Sequence, residues 1–144
     1  MLNYTNPITE KKIYSGLQIS EIRPIMKLIV RGKKREFLSA IGKSLNLLLP
    51  TETNTSTRSD RLTALWLSPD EWMIYSNEIL NLEDNNYETE ILLDKNISKT
   101  NLGAVTDVTD QFVLINLKGV KIYDLFEAGS LFNFNDFKNK NGSV

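Results

Sequence analysis

Apolar and polar residues alternate from Leu17 through Ser20 in Leu17-Gln18-Ile19-Ser20-Glu21-Ile22, and a largely apolar run from Ile25 to Arg31 follows, with Pro24 between the two. Alternation places every second side chain on one face of an extended chain, and proline is kept out of strand interiors. Two short strands are therefore predicted, roughly 17–22 and 25–31, meeting near the proline. From Lys33 to Asn46 the period changes: Phe37, Leu38, Ile41 and Leu45 recur at helical spacing, which predicts an amphipathic helix. Pro50 to Arg61 is dominated by Thr, Ser, Asn and charged residues and reads as a mobile surface loop.

Two further apolar runs, Leu62 to Leu67 and Trp72 to Tyr75, predict a hairpin. Between them, Ser68-Pro69-Asp70-Glu71 reads as a single helical turn, with Ser68 as cap, Pro69 at the first helical position and Glu71 completing a Ser-x-x-Glu capping box. Tyr87 to Ser98 is a second helix candidate, in which Tyr87, Ile91 and Lys95 share a face with Leu92 beside it. Gly103 opens an extended stretch, Ala104 to Asp110 and then Phe112 to Leu117, before a third helix from Val120 to Ala128. From Ile25 the order is β-α-β-β-α-β and then β-α. This predicts an α+β fold: a ferredoxin-like unit followed by the start of a second β-α unit, in one domain over 1–144 with lobes of about 16–103 and 104–144.

The second start echoes the first. Leu28 to Gly42 aligns with Ile115 to Gly129: both place glycines ten residues apart, with a basic residue before the first glycine and leucine six after it. The first glycine suits a tight strand-to-helix turn, and the second suits a left-handed helix end.

Composition narrows the chemistry more than the class. The 144 residues, 41% hydrophobic and 24% charged, suit one globular domain. No apolar run approaches the roughly 18–20 residues that span a bilayer, and the start Met1 to Pro7 lacks the pattern of a secretory signal, so a cytoplasmic protein is expected. The chain contains no cysteine and no histidine. That removes disulfides, thiolate or imidazole metal ligands, a cysteine nucleophile, a Ser-His-Asp triad and any general base poised near neutrality.

Net charge is −1 but uneven: residues 1–44 carry nine Lys and Arg against three Asp and Glu, and residues 45–144 carry eight against fifteen. The densest basic run is Arg31-Gly32-Lys33-Lys34-Arg35. It lacks the aromatic interleaving of a nucleic-acid surface and reads as a solvated helix start.

Other motifs read as structure. Gly42-Lys43-Ser44 would close a P-loop, but Phe37 stands where the first glycine belongs, and the triplet ends a helix instead of opening one. No Gly-x-Gly-x-x-Gly occurs. Asp107-Val108-Thr109-Asp110 offers two carboxylates and a hydroxyl, yet residues three apart on a strand do not converge on a cation. A strand end whose side chains satisfy local backbone groups is the better reading. Trp66 shares a strand face with Leu62 and Ala64, and it and Trp72 are expected to be core residues.

Four stretches taken together resemble the γ subunits of heterotetrameric sarcosine oxidases: Leu47 to Thr55; Ala64-Leu65-Trp66-Leu67-Ser68-Pro69-Asp70-Glu71-Trp72; Val105 to Gln111; and Leu117-Lys118-Gly119 running to Leu125, Phe126 and Gly129. The second is the most specific, being close to that family's Leu-Trp-Leu-Gly-Pro-Asp-Glu-Trp with Ser68 in place of glycine. The resemblance covers roughly residues 16–137. It implies a fold related to the folate-binding domains of aminomethyltransferases and of a tRNA-modifying GTPase.

The resemblance also implies a complex that oxidises sarcosine to glycine with FAD, FMN and NAD, passing the one-carbon unit to tetrahydrofolate. Flavin, dinucleotide, zinc and folate chemistry would lie on other subunits. This chain would then be accessory and non-catalytic, with no catalytic, cofactor-binding or metal residues of its own. Its partners would be larger flavoprotein subunits, with self-association in their absence, and neither nucleic acid nor membrane is expected.

Two alternatives stay open: a stand-alone folate- or anion-binding module, or a subunit of a related N-methyl amino acid dehydrogenase. The family's chains continue past Phe137 with another hairpin, where here only Lys138 to Val144 follow. The strand Phe112 to Leu117 is therefore expected to keep an open edge, and Leu131 to Phe137, with four large apolar residues, to dock on a partner.

Overall fold

In the computed structural model, residues 5, 7–8, 12–78, 87–131 and 134 are described. Their elements are β1 (Lys12–Tyr14), β2 (Leu17–Ile22), β3 (Lys27–Arg31), α1 (Arg35–Leu45), β4 (Ser56–Arg58), β5 (Leu62–Ser68), β6 (Glu71–Ser76), α2 (Glu88–Leu93), a π-helical turn (Asp94–Ser98), β7 (Ala104–Asp107), a 3-10 turn (Thr109–Gln111), β8 (Leu114–Lys118) and α3 (Ile122–Gly129). The described chain is thus a mixed α and β fold with two antiparallel sheets and three α-helices. Contacts divide it at Pro24/Ile25 and at Gln111/Phe112. This division differs from lobes of 16–103 and 104–144, because β2 pairs with β8 and not with the strand that follows it.

The unit Ile25–Gln111 holds a five-stranded sheet in the order β4-β5-β6-β3-β7, antiparallel throughout. Register puts Ala64, Ile74, Leu28 and Val105 on one face with Trp66, Trp72 and Val30. Phe37 and Ile41 of α1, with Leu93 and Ile97 downstream, complete the buried core on that face. Burying one such side chain stabilises by about 1.5–3 kcal/mol, so this face holds the unit together. Gly103 lets the backbone close over Phe37: a Cβ there would lie 2.2 Å from the Arg31 carbonyl oxygen and 2.8 Å from the Phe37 ring.

Several local expectations are corrected. Ser68-Pro69-Asp70-Glu71 is a two-residue hairpin turn, not a helical one. Ser68 pairs with Glu71 across the ladder, and the Ser68 hydroxyl donates to the Asp70 carboxylate at 3.0 Å. The adjacent strands already satisfy the backbone there, so a capping box has nothing to cap. Pro50 to Arg61 is not wholly loop: Ser56–Arg58 adds β4 to the sheet, and Pro50 is buried.

The second helix buries Leu93 and Ile97, while Tyr87, Ile91 and Leu92 are exposed, the reverse of the expected face. Leu93 and Ile97, four residues apart, share the stripe that meets the core, and the path changes there to a π turn, in which the Lys99 N–H donates to the Asp94 carbonyl five residues back at 2.9 Å. The echo is also partial. Gly42 and Gly129 lie inside α1 and α3, and the left-handed residue ending α1 is Asn46, at φ 49°.

The remaining unit contains the sheet β1-β2-β8 and α3. β1 and β2 form a hairpin turned at Gly16 (φ 81°), and β2 pairs with β8 from Gln18↔Lys118 to Ile22↔Leu114. Gly119, at φ 133°, packs its Cα against the Gly16 carbonyl oxygen, which leaves no room for a Cβ. Among the described residues of this unit only Pro24 is buried.

Candidate functional site

Lys27 sits inside the apolar run Ile25 to Val30, on the sheet face opposite the helices, with only 3% of its surface exposed. Its Nζ donates to the carbonyl oxygens of Ile25 (3.0 Å) and Thr109 (2.9 Å). Its backbone N–H donates to Thr109 Oγ1 at 3.1 Å, and its carbonyl accepts from the Val108 N–H at 2.9 Å. Burial pushes the ammonium below the usual lysine range, while the Asp110 and Asp107 carboxylates push back. A neutral amine keeps two N–H groups, enough for both carbonyls, so this clamp survives either protonation state. The group is enclosed and engaged, which suits a positioning role and not attack on a substrate.

The carboxylates flagged at 107 and 110 belong to the same clamp. Asp107 Oδ1 accepts from the Thr109 N–H at 2.8 Å, an Asx turn that ends β7 and starts the 3-10 turn. Among the described residues no group of three or more acidic side chains is placed to hold a metal ion. Sequence reasoning missed Lys27 as a clamp, although a lone lysine within six apolar-flanked positions was the available signal.

A shallow cleft of about 470 Å³ is lined by Tyr87, Glu90, Ile91, Asp94 and Lys99. Lys99 pairs with Asp94 at 3.2 Å. Desolvation, then the neighbouring Asp107 and Asp94 charges, raises Glu90 above the usual carboxylate range. This lining is net acidic, with one lysine already paired.

The basic run does not assemble a site. Arg31 Nε lies 3.8 Å from Glu71 and Lys33 Nζ 3.6 Å from Asp70, so the hairpin turn neutralises part of it. The Ser68 hydroxyl, with Lys33 and Arg31 adding to it, holds the Asp70 carboxyl below its ordinary range. The tryptophans are packed: Trp72 is 3% exposed, donates from Nε1 to the Pro50 carbonyl at 2.7 Å and lies 5.8 Å from the Phe37 ring centroid. Trp66 faces it across the hairpin and is partly buried against the same core.

What stands out is apolar surface. Among the described residues, nine of the fourteen exposed large apolar side chains lie in the unit of β1, β2, β8 and α3, Ile13, Tyr14, Phe112, Ile115, Leu125 and Phe126 among them. Register places Tyr14, Leu17, Ile19, Ile115 and Leu117 on one face of its sheet. Phe126 stacks on Phe134 at 5.1 Å. Of the segment Leu131 to Phe137, only Leu131, fully exposed, and Phe134 lie within the described residues.

No helix among the described residues is long and apolar enough to cross a membrane. No family model matches the chain, and no curated protein matches it in sequence. Solved structures do. The chain superposes on one chain of the heterotetrameric sarcosine oxidase from Corynebacterium sp. U-96, determined in complex with pyrrole 2-carboxylate, with a TM-score of 0.70 and 17% identity. The match covers 82% of this chain and 57% of that one, so it spans little more than half of the neighbour's length. Over that stretch the chain therefore shares its fold with one chain of that heterotetrameric sarcosine oxidase.

Proposed function

We propose that this chain is an accessory, non-catalytic subunit of a multi-subunit oxidoreductase of the sarcosine oxidase type, filling the place of its γ subunit. The observation that carries this reading is the unit of β1, β2, β8 and α3, which holds nine of the fourteen exposed large apolar side chains among the described residues, and of whose described residues only Pro24 is buried. A unit without a core of its own gains stability by packing on another protein. The shared fold with a sarcosine oxidase chain supports the class of assembly, and the chain's lack of histidine and cysteine agrees with chemistry placed elsewhere.

In this reading FAD, FMN, NAD and tetrahydrofolate are held by larger flavoprotein subunits, and the whole assembly is cytoplasmic. The order β3-α1-β5-β6-α2-β7 and the sheet order β5-β6-β3-β7 support taking Ile25–Gln111 as a ferredoxin-like unit, with β8-α3 as the start of a second. The substrate is sarcosine or another N-methyl amino acid. The test is purification of the tagged chain from its own cells: it should co-migrate in fixed ratio with subunits that carry flavin absorbance and oxidise sarcosine, while the chain alone is colourless and inactive. A chain that migrates alone, or that is yellow and active by itself, overturns the reading.

A further inference from the structure

We infer that β8 pairs along its free edge with β8 of a second copy of this chain, antiparallel and centred on Asn116. β8 is the outer strand of β1-β2-β8, and no described residue hydrogen-bonds to its outward backbone groups. An uncovered row of N–H and C=O groups invites another strand. At five residues β8 is longer than the other edge strands, since β1 and β4 have three and β7 has four. It also lacks the usual protection: Leu114 to Lys118 contains no proline, and its one charge stands at the last position.

The strand complements itself. In an antiparallel pair about a two-fold axis, the register centred on Asn116 is the one that engages all five residues. Leu114 then faces Lys118 of the second copy, Ile115 faces its Leu117, and Asn116 faces its counterpart. No lysine opposes a lysine, and the central amides are matched donor to acceptor. Ile115 and Leu117 lie on the sheet face that carries Tyr14, Leu17 and Ile19, so the pairing joins two apolar faces into one six-stranded surface. This inference stands apart from the proposed function, because it needs no other subunit.

The chain has no cysteine, so Asn116→Cys supplies its sole thiol. Self-paired residues of an antiparallel ladder have Cα atoms about 4.5–5.5 Å apart, within disulfide reach. Under mild oxidation Asn116→Cys should form a linked dimer roughly tenfold faster or more than Val120→Cys, although Val120 is 86% exposed. In sedimentation the native full chain should move from 16.5 kDa toward twice that mass as concentration rises. Ile115→Glu should weaken association by roughly tenfold, since two equivalent pairs are lost at once. Adding Leu117→Lys to it should restore association, because each new carboxylate then faces a new ammonium. A chain that stays at 16.5 kDa leaves the edge to some other protein's strand and overturns the proposal. Equal cross-linking of the two cysteine variants, or no rescue by the double change, also overturns it.

Discussion

Replacing Trp72 by phenylalanine keeps an aromatic ring in the core but removes the indole N–H that the Pro50 carbonyl accepts at 2.7 Å. Pro50 is buried, so that carbonyl loses its donor without gaining water, a cost of about 1–3 kcal/mol. The smaller ring also leaves a gap beside Phe37, whose centroid lies 5.8 Å from that of Trp72. The gap adds about 1 kcal/mol, for a total of about 2–4 kcal/mol. With a urea slope of about 2 kcal/mol per molar, the unfolding midpoint should fall by roughly 1–2 M. Trp66→Phe removes a partly buried ring with no such bond and should cost about 1 kcal/mol or less. The chain has two tryptophans, so each variant keeps the other as its fluorescent reporter. Equal midpoints for the two variants would show that the Trp72 bond to the Pro50 carbonyl does not stabilise the core.

Lys27→Met strips the donors from the Ile25 and Thr109 carbonyls and should cost about 1–3 kcal/mol at neutral pH. Because the Lys27 pKa is lowered by folding, the unfolded chain binds more protons between that value and 10.5. The native protein's advantage over Lys27→Met should therefore grow as pH rises through this window; a difference that stays flat with pH contradicts the burial. Glu90 behaves oppositely: its raised pKa means that stability is lost as pH climbs from 4.5 through the folded value, so Glu90→Gln should stabilise at neutral pH and lose that gain below pH 4.5 in matched thermal melts. Gly103→Ala drives a methyl into the Arg31 carbonyl and should cost about 2 kcal/mol or more, whereas Gly42→Ala, in ordinary contact with Leu48 inside α1, should gain about 0.5–1 kcal/mol in urea unfolding.

Period was a good guide where local geometry set the structure. α1 lies within the helix expected from Phe37, Leu38, Ile41 and Leu45, and β5 and β6 cover the apolar runs Leu62 to Leu67 and Trp72 to Tyr75. Reading failed where a contact from elsewhere decided the outcome. Ser68 to Glu71 has the spacing of a capping box, but β5 and β6 pull its ends into register. The face of α2 was read from Tyr87 and Ile91, whereas the pair that meets the core is Leu93 and Ile97, also four residues apart, and spacing alone does not choose between the two. Lys27 looks like any strand lysine until Thr109, distant in sequence, supplies the carbonyl that encloses it. The pairing of β2 with β8 is likewise long-range, so the division into units at Pro24 and Gln111 was not legible. Of the motifs weighed in the sequence, Arg31 and Lys33 pair with the hairpin turn, Asp107 caps a local turn, and both tryptophans pack on the core.

The central claim is that the unit of β1, β2, β8 and α3 is completed by another protein. Hydrogen exchange tests this directly when read at β2, β8 and α3 in the isolated chain, held dilute enough to remain monomeric, and in the chain assembled with its flavin-bearing subunits. The core strands β3, β5 and β6 should be protected in both samples, and residues 17–22 and 114–129 should exchange fast alone and slowly only in the assembly. Equal protection of 17–22 and 114–129 in both samples would contradict the account, because that unit would then be complete without a partner.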